Sequence, residues 1–64
     1  MLDVNDAKVQ NAIQEGVDRL CKTLDPLFPG YDNGGINSDI AFSIHRLVEA
    51  KLVEHNLATD KEEM

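Results

Sequence analysis

The sequence predicts an all-α protein, an antiparallel two-helix hairpin that assembles into a homo-oligomeric helical bundle. Two segments with helical apolar spacing flank residues 25–40, which hold both prolines and three of the four glycines. A single hairpin of 64 residues buries too little apolar surface to be stable without a staple, a metal or a partner. We expect one domain with helix one at about 5–24, a loop at 25–37, helix two at about 38–56 and an acidic tail at 57–64.

Helix one is predicted by apolar residues spaced three or four apart, which fall on one side of a helix: Val9, Ile13, Val17, Leu20 and Leu24. Asp3 or Asn5 can cap its start, because both residue types accept hydrogen bonds from free backbone N–H groups. The Asp25-Pro26 step disfavours a helix that continues past Leu24.

Helix two is predicted to begin at Asn37 or Ser38, two good N-cap residues, and to run to about residue 55 or 56. Phe42 and Val53 are eleven residues apart, so they nearly align on one side of this helix. The other apolar residues share a broad face that can meet helix one: Ile40, Ala41, Ile44, Leu47, Val48 and Leu52.

Self-association is the expected source of the missing stability. Cys21 is the only cysteine, which excludes a disulfide within the chain, and the cysteine and histidine spacing fits no zinc site. Phe42 and Val53 need a cover that one hairpin does not provide. Gly16 costs helix one about 1 kcal/mol relative to alanine, and with Ala12 it either admits a close helix or is an incidental glycine. We therefore predict an oligomer interface at Ala12, Gly16, Phe42 and Val53.

The charge and hydropathy of the chain exclude several functions. A net charge of −6 disfavours binding to DNA or RNA, which depends on Lys and Arg neutralising phosphates. Residues 7–59 carry seven acids against five bases, so a small anion is not excluded. The sequence has no apolar run of about 20 residues and no basic start to an export signal. We expect a cytoplasmic protein that binds neither polymeric nucleic acid nor membranes.

The glycine-rich stretch "YDNGGINSD" admits two interpretations, a structural turn or an anion cradle. Its spacing fits neither an EF-hand nor a P-loop. Gly34 and Gly35 lead into a helix start, where free N–H groups and the helix dipole favour an anion. Tyr31 offers an aromatic surface to a nucleotide base. The alternative is that the two glycines only reverse the chain direction.

The residues form no recognisable catalytic set, so we predict neither an enzyme nor a cofactor. Cys21 lies on the edge of the apolar stripe, and nothing in the sequence indicates a third residue that orients a Cys-His pair. His45 and Arg46 form a small basic cluster in helix two, which we assign either to solvent or to a neighbouring subunit's site.

The segment "NSDIAFSIHRLVEAKLVEHN", residues 37–56, resembles the second helix of the bacteriophage cyclic-nucleotide sponges that counter the CBASS and Thoeris bacterial defences. The segment "VQNAIQEGVDRLCKTLDPLFPG", residues 9–30, is similar in layout to that family's first helix and proline-bearing turn. This chain has Ser38-Asp39 where family members often have Arg-Glu, and Val53 where they have tryptophan.

The resemblance implies a non-enzymatic homo-oligomer in the host cytoplasm that holds a nucleotide second messenger between hairpins and so blocks host immune signalling. It implies a phosphate site at Gly34, Gly35, Asn37 and Ser38, with His45 or Arg46 supplying positive charge. Tyr31, the aromatic candidate named above, completes the predicted ligand site. The competing hypothesis is a small acidic helical inhibitor or adaptor, which docks Phe42, Val53 and its acidic surface on a basic host protein.

Overall fold

The computed structural model describes residues 2–29 and 33–60, and this part of the chain is mostly helical, as expected. Its elements in order are strand β1 (Leu2–Asp3), helix α1 (Ala7–Leu24), a short 3-10 helix (Asp25–Leu27), helix α2 (Asn33–Glu54) and strand β2 (Ala58–Thr59). The strand pair was not predicted from the sequence.

Helix α1 begins at Ala7, two residues later than expected, because Asp6 caps it. The Asp6 carboxylate accepts a hydrogen bond from the Lys8 N–H at 2.8 Å. Asp3 instead stabilises the turn before the helix, where its carboxylate accepts from the Asn5 N–H at 2.8 Å. Both expected caps, Asp3 and Asn5, therefore belong to this turn.

Helix α2 begins at Asn33, so the prediction of a loop over 25–37 with a cap at Asn37 or Ser38 is wrong. Gly34 and Gly35 lie in the first turn of the helix. The Asn37 side chain donates to the Asp25 carboxylate at 3.2 Å, which ties this part of α2 to the end of α1. Such tertiary contacts override the low helix propensity of two adjacent glycines.

Helix α2 ends in a Schellman motif. Asn56 has a positive φ of 62°, in the left-handed region that asparagine tolerates. The Leu57 N–H donates to the Leu52 carbonyl at 2.8 Å, and the Asn56 N–H donates to the Val53 carbonyl at 3.0 Å. The motif reverses the chain direction and so leads residues 58 and 59 back along the helix.

The two ends of the described chain meet in what we call the terminal clasp, residues 2–4 and 57–59. Strands β1 and β2 pair in parallel, with Leu2 opposite Ala58, and the Val4 N–H donates to the Thr59 carbonyl at 2.8 Å. Val4 and Ala58 are both buried. The expected acidic tail at 57–64 is therefore partly a packed element, because Ala58 is buried and pairs with β1.

The apolar core between the helices is small. Five apolar residues are buried in the described part of the chain, and none of them is completely enclosed: Val4, Ile13, Val17, Cys21 and Ala58. Ile13, Val17 and Cys21 form one cluster, against which half-buried residues of α2 pack. The His45 ring is bonded to the Gln14 side chain at 3.1 Å, and Gln10 donates to the Glu49 carboxylate at 2.8 Å. Later residues of α2 thus meet earlier residues of α1.

Candidate functional site

An open apolar groove runs along one side of the contact between α1 and α2. It has a volume of about 600 Å³ and is lined by Leu2, Lys8, Val9, Ala12, Ile13, Gly16, Val17, Ile44, Val48 and Leu52. Lys8 is the one charged residue in this lining. The groove is therefore a low-charge surface on a chain whose net charge is −6.

Ala12 and Gly16, two of the four predicted interface residues, line this groove and are exposed. A Cβ atom added at Gly16 would meet nothing within 4 Å, so packing inside the chain does not require a glycine there. Leu20 follows Gly16 by four residues, and Leu47 follows Ile44 by three, which continues the apolar surface along both helices. Leu20 and Leu47 are among the exposed large apolar residues.

The opposite side of α2 carries what we call the outer stripe, five residues spaced three or four apart: Asp39, Phe42, Arg46, Glu49 and Val53. Phe42 is 63% exposed, and the Arg46 guanidinium carbon lies 5.3 Å from the centre of its ring. This distance fits a cation–π contact, which orients the ring on the helix surface.

Val53, at the end of the outer stripe, lies beside the terminal clasp rather than on an open surface. It is half-buried and lines a pocket of about 590 Å³ together with Val4, Asn5, Arg46, Glu49, Ala50, Glu54 and Asp60. Phe42 and Val53 lie on the same side of α2, as predicted. Of the two, only Val53 is partly covered, and Val4 of the terminal clasp lines the same pocket. The structure thus places the four predicted interface residues on two different faces.

The start of α2 presents a smaller pocket of about 330 Å³. Its polar lining includes Asn37 and Ser38, two of the predicted ligand residues, with Asp18, Asp25 and Lys22 from the other side. The two carboxylates outnumber the one ammonium group, and the Asn37 amide already donates to Asp25. The charge of this pocket opposes an anion.

The other predicted ligand residues do not converge on that pocket within one chain. Gly34 and Gly35 are exposed in the first turn of α2. His45 is bonded to Gln14, and Arg46 follows Ser38 by eight residues, which is about 12 Å of rise along the helix. Arg46 lines the pocket on the outer side instead. Tyr31 lies outside the described residues.

Sequence analysis did not predict that Leu20 and Leu47 are exposed. Leu20 was assigned to the core stripe and Leu47 to the face that meets α1, yet both are exposed. The Gln10 side chain donates to the Val4 carbonyl at 2.6 Å and to the Glu49 carboxylate at 2.8 Å. It gave no signal because Glu49 is 39 residues away in the sequence and the Val4 acceptor is a main-chain group.

Within residues 2–29 and 33–60, no group of three His, Cys, Asp or Glu side chains is arranged to hold a metal ion. Neither of the described helices is long and apolar enough to cross a membrane. Cys21 is buried, and the His45 ring bonds to an amide rather than to a thiol.

Comparison with known proteins found no family model that matches the sequence, no curated protein that is detectably similar to it and no solved structure that matches the fold.

Proposed function

We propose that this chain is a non-enzymatic interaction protein, an antiparallel helical hairpin that forms a homo-oligomer and docks the outer stripe of α2 on a partner protein with a basic surface. The observation that carries this proposal is the exposure of Phe42 on a long helix, with the exposed Asp39 one turn before it on the same stripe.

An exposed aromatic side chain on a helix is the kind of anchor that dominates protein interfaces. Aromatic residues carry a large share of binding energy because they bury much apolar area at little conformational cost. The contact with Arg46 limits the motion of the Phe42 ring, so less entropy is lost on binding.

The charge of the chain favours a basic partner. The net charge of −6 attracts a basic surface at long range and increases the association rate, whereas it repels an acidic surface. Asp39, which is exposed one turn before Phe42, then places a carboxylate within reach of a Lys or Arg side chain that flanks the Phe42 contact. Glu49 adds to the negative charge of the stripe, but it is half-buried and already accepts a hydrogen bond from Gln10. Arg46 supplies one positive charge on the stripe, which selects against a uniformly basic peptide.

The arrangement of nucleophiles and bases supports binding rather than catalysis. Cys21 is the sole thiol, is buried at 8% exposure and packs with Ile13 and Val17. Structural cysteines in such apolar surroundings are unreactive. His45 is held by Gln14, so it orients no neighbouring nucleophile.

Selection from displayed random 16-residue peptides tests the proposal without a known host. The immobilised chain should enrich peptides that carry Lys or Arg around an apolar position. Phe42→Ala should weaken the selected peptides at least tenfold, because it removes the anchor while changing an exposed position. Phe28→Ala is the matched control, since Phe28 is also exposed but lies at the 3-10 helix. Peptides that are neutral, or that bind Phe42→Ala as tightly as the parent, would overturn the proposal.

A nucleotide-sequestering function is the second candidate, and one observation favours it. Asn37 and Ser38, both expected as ligand residues, line one pocket of about 330 Å³. Arg46 of the same chain is too far along α2 to reach that pocket, so a second subunit would have to supply a positive charge.

A thermal shift screen with cyclic dinucleotides, cyclic trinucleotides and ADP-ribose derivatives separates the two candidates. A ligand that binds only the native state raises its stability by about 2.7 kcal/mol at 100 times Kd. The interaction protein should show no shift with any of these compounds. A shift that Arg46→Ala reduces would favour the nucleotide function instead.

A further inference from the structure

We propose that the apolar groove, and not the outer stripe, is the face on which a second copy of this chain packs. This inference rests on the homo-oligomer of the proposed function and assigns its contact surface. It divides the four expected interface residues, so that Ala12 and Gly16 touch the second copy while Phe42 stays available to another partner.

The chain exposes more surface than a compact monomer of its mass. The chain exposes 4807 Å², and its elongated shape measures 43 × 19 × 18 Å. A compact monomer of 7.1 kDa exposes about 4,100 Å² by the usual scaling with mass. The excess of about 700 Å² is a property of the whole elongated surface, and the groove is an apolar part of that surface that a second copy can cover.

The walls of the groove fit a helix of a second copy. Ala12 and Gly16 are small, exposed and one turn apart, which lets another helix approach the α1 backbone. The space around Gly16 is open, since an added Cβ would meet no atom within 4 Å. Leu20 and Leu47 are exposed, and helical spacing places them on the same side as Gly16 and Ile44, so they can supply further apolar side chains to the partner helix.

Charge favours a second copy on this face over the outer stripe. Two chains that each carry −6 repel one another wherever their acids meet, so the contact must form where acids are few. The groove lining contains Lys8 and no acid. Beside it, Glu15 and Arg19 pair at 3.9 Å and neutralise each other. The pocket on the outer side, in contrast, is lined by the acids Glu49, Glu54 and Asp60 and the base Arg46. It keeps a net negative charge even though Glu54 also pairs with Lys51 at 3.2 Å.

Solution mass, measured by light scattering from 5 to 200 μM, tests this assignment with matched variants on one helix. Leu47→Glu adds a carboxylate beside the groove, and Phe42→Glu adds one on the outer stripe. The two positions are similarly exposed, at 58% and 63%, so both variants should remain folded, and circular dichroism checks this. We expect a multiple of 7.1 kDa for the parent and for Phe42→Glu, and 7.1 kDa for Leu47→Glu.

Ala12→Glu provides the same test from α1, and it decides the result if Leu47→Glu fails to fold. Ala12 is exposed in the single chain, so the substitution should disrupt only the contact with the second copy. A parent that runs at 7.1 kDa throughout would overturn the homo-oligomer itself. An oligomeric parent that survives both groove substitutions, or that Phe42→Glu dissociates, would overturn the groove assignment alone. Peptide binding through Phe42 remains a separate measurement in either case.

Discussion

Helices α1 and α2 differ in how their apolar side chains are distributed around the helix. Helix α1 buries Ile13, Val17 and Cys21 on one stripe, and most of its remaining surface is polar. Helix α2 carries apolar side chains on several sides, including the exposed Ile36, Phe42 and Leu47. Contact with α1 covers only part of the apolar surface of α2, whose remaining sides also carry polar residues. The exposed apolar side chains of α2 are therefore the surfaces on which we propose that partners bind.

The largest expected effect comes from the buried stripe of α1. Ile13→Ala should lower the free energy of unfolding by about 2–5 kcal/mol, because it removes apolar contacts and leaves a cavity. Chemical denaturation measures this. Ile36→Ala on α2 is the matched control, since Ile36 is 45% exposed and its loss should cost less than about 1 kcal/mol. Equal losses at the two positions would contradict the distinction between the helices.

The link between the terminal clasp and the helices should have the next largest effect. Gln10→Ala removes donors to the Val4 carbonyl and the Glu49 carboxylate and should cost about 1–3 kcal/mol. The Val4 amide, which donates to Thr59, should then exchange its hydrogen faster. Gln14→Ala is the control, because its bonds to Asp18 and His45 are exposed. Unchanged exchange at Val4 in Gln10→Ala would show that the clasp forms independently of Gln10.

The cap of α1 should contribute less than its core. Asp6→Ala should cost about 1 kcal/mol, because the Lys8 N–H loses its acceptor and the helix dipole loses a favourable charge. Thermal unfolding measures the loss. Glu15→Gln removes one charge from the same helix and should change stability by less than about 0.5 kcal/mol, since its pair with Arg19 is exposed. Equal effects would place the start of α1 elsewhere.

The smallest expected effect is that of Gly16→Ala, which should stabilise a single chain but weaken the contact between two chains. In the Leu47→Glu background, Gly16→Ala should raise stability by about 0.5–1 kcal/mol, because alanine favours the helix and its Cβ meets no atom. In the parent background the same change should weaken association, since that Cβ would meet the second copy. Chemical denaturation of Leu47→Glu with and without Gly16→Ala gives the change in stability. Light scattering from the parent with and without Gly16→Ala gives the change in association. An increase in association would contradict close helix contact at Gly16.

The sequence predicted α1 better than α2 for a physical reason. The stripe through Ile13 and Val17 is a local periodic pattern, and the single core depends on it. The start of α2 depends on a contact across the turn, between Asn37 and Asp25, which overrides the propensity of Gly34 and Gly35. Prediction from neighbouring residues in the sequence does not detect a contact of this kind.

For similar reasons, the sequence did not predict the terminal clasp or the separation of the groove from the outer stripe. Leu2 pairs with Ala58 across nearly the whole chain, and two-residue strands carry no periodic signal. The alignment of Phe42 with Val53 was predicted correctly, but the clasp that partly covers Val53 was not. The predicted ligand site combined Arg46, chosen for its charge, with Ser38, chosen as a helix cap. About 12 Å of rise along α2 separates the two residues.

The most direct test of the account is an isotope-filtered NOE experiment on a mixture of ¹³C-labelled and unlabelled chains, which detects only contacts between copies. The account predicts cross-peaks between copies from the methyl groups of Val9, Ala12, Leu20 and Leu47, and none from the Phe42 ring. Cross-peaks confined to Phe42 and its neighbours, or no cross-peaks at concentrations where the mass exceeds 7.1 kDa, would contradict it.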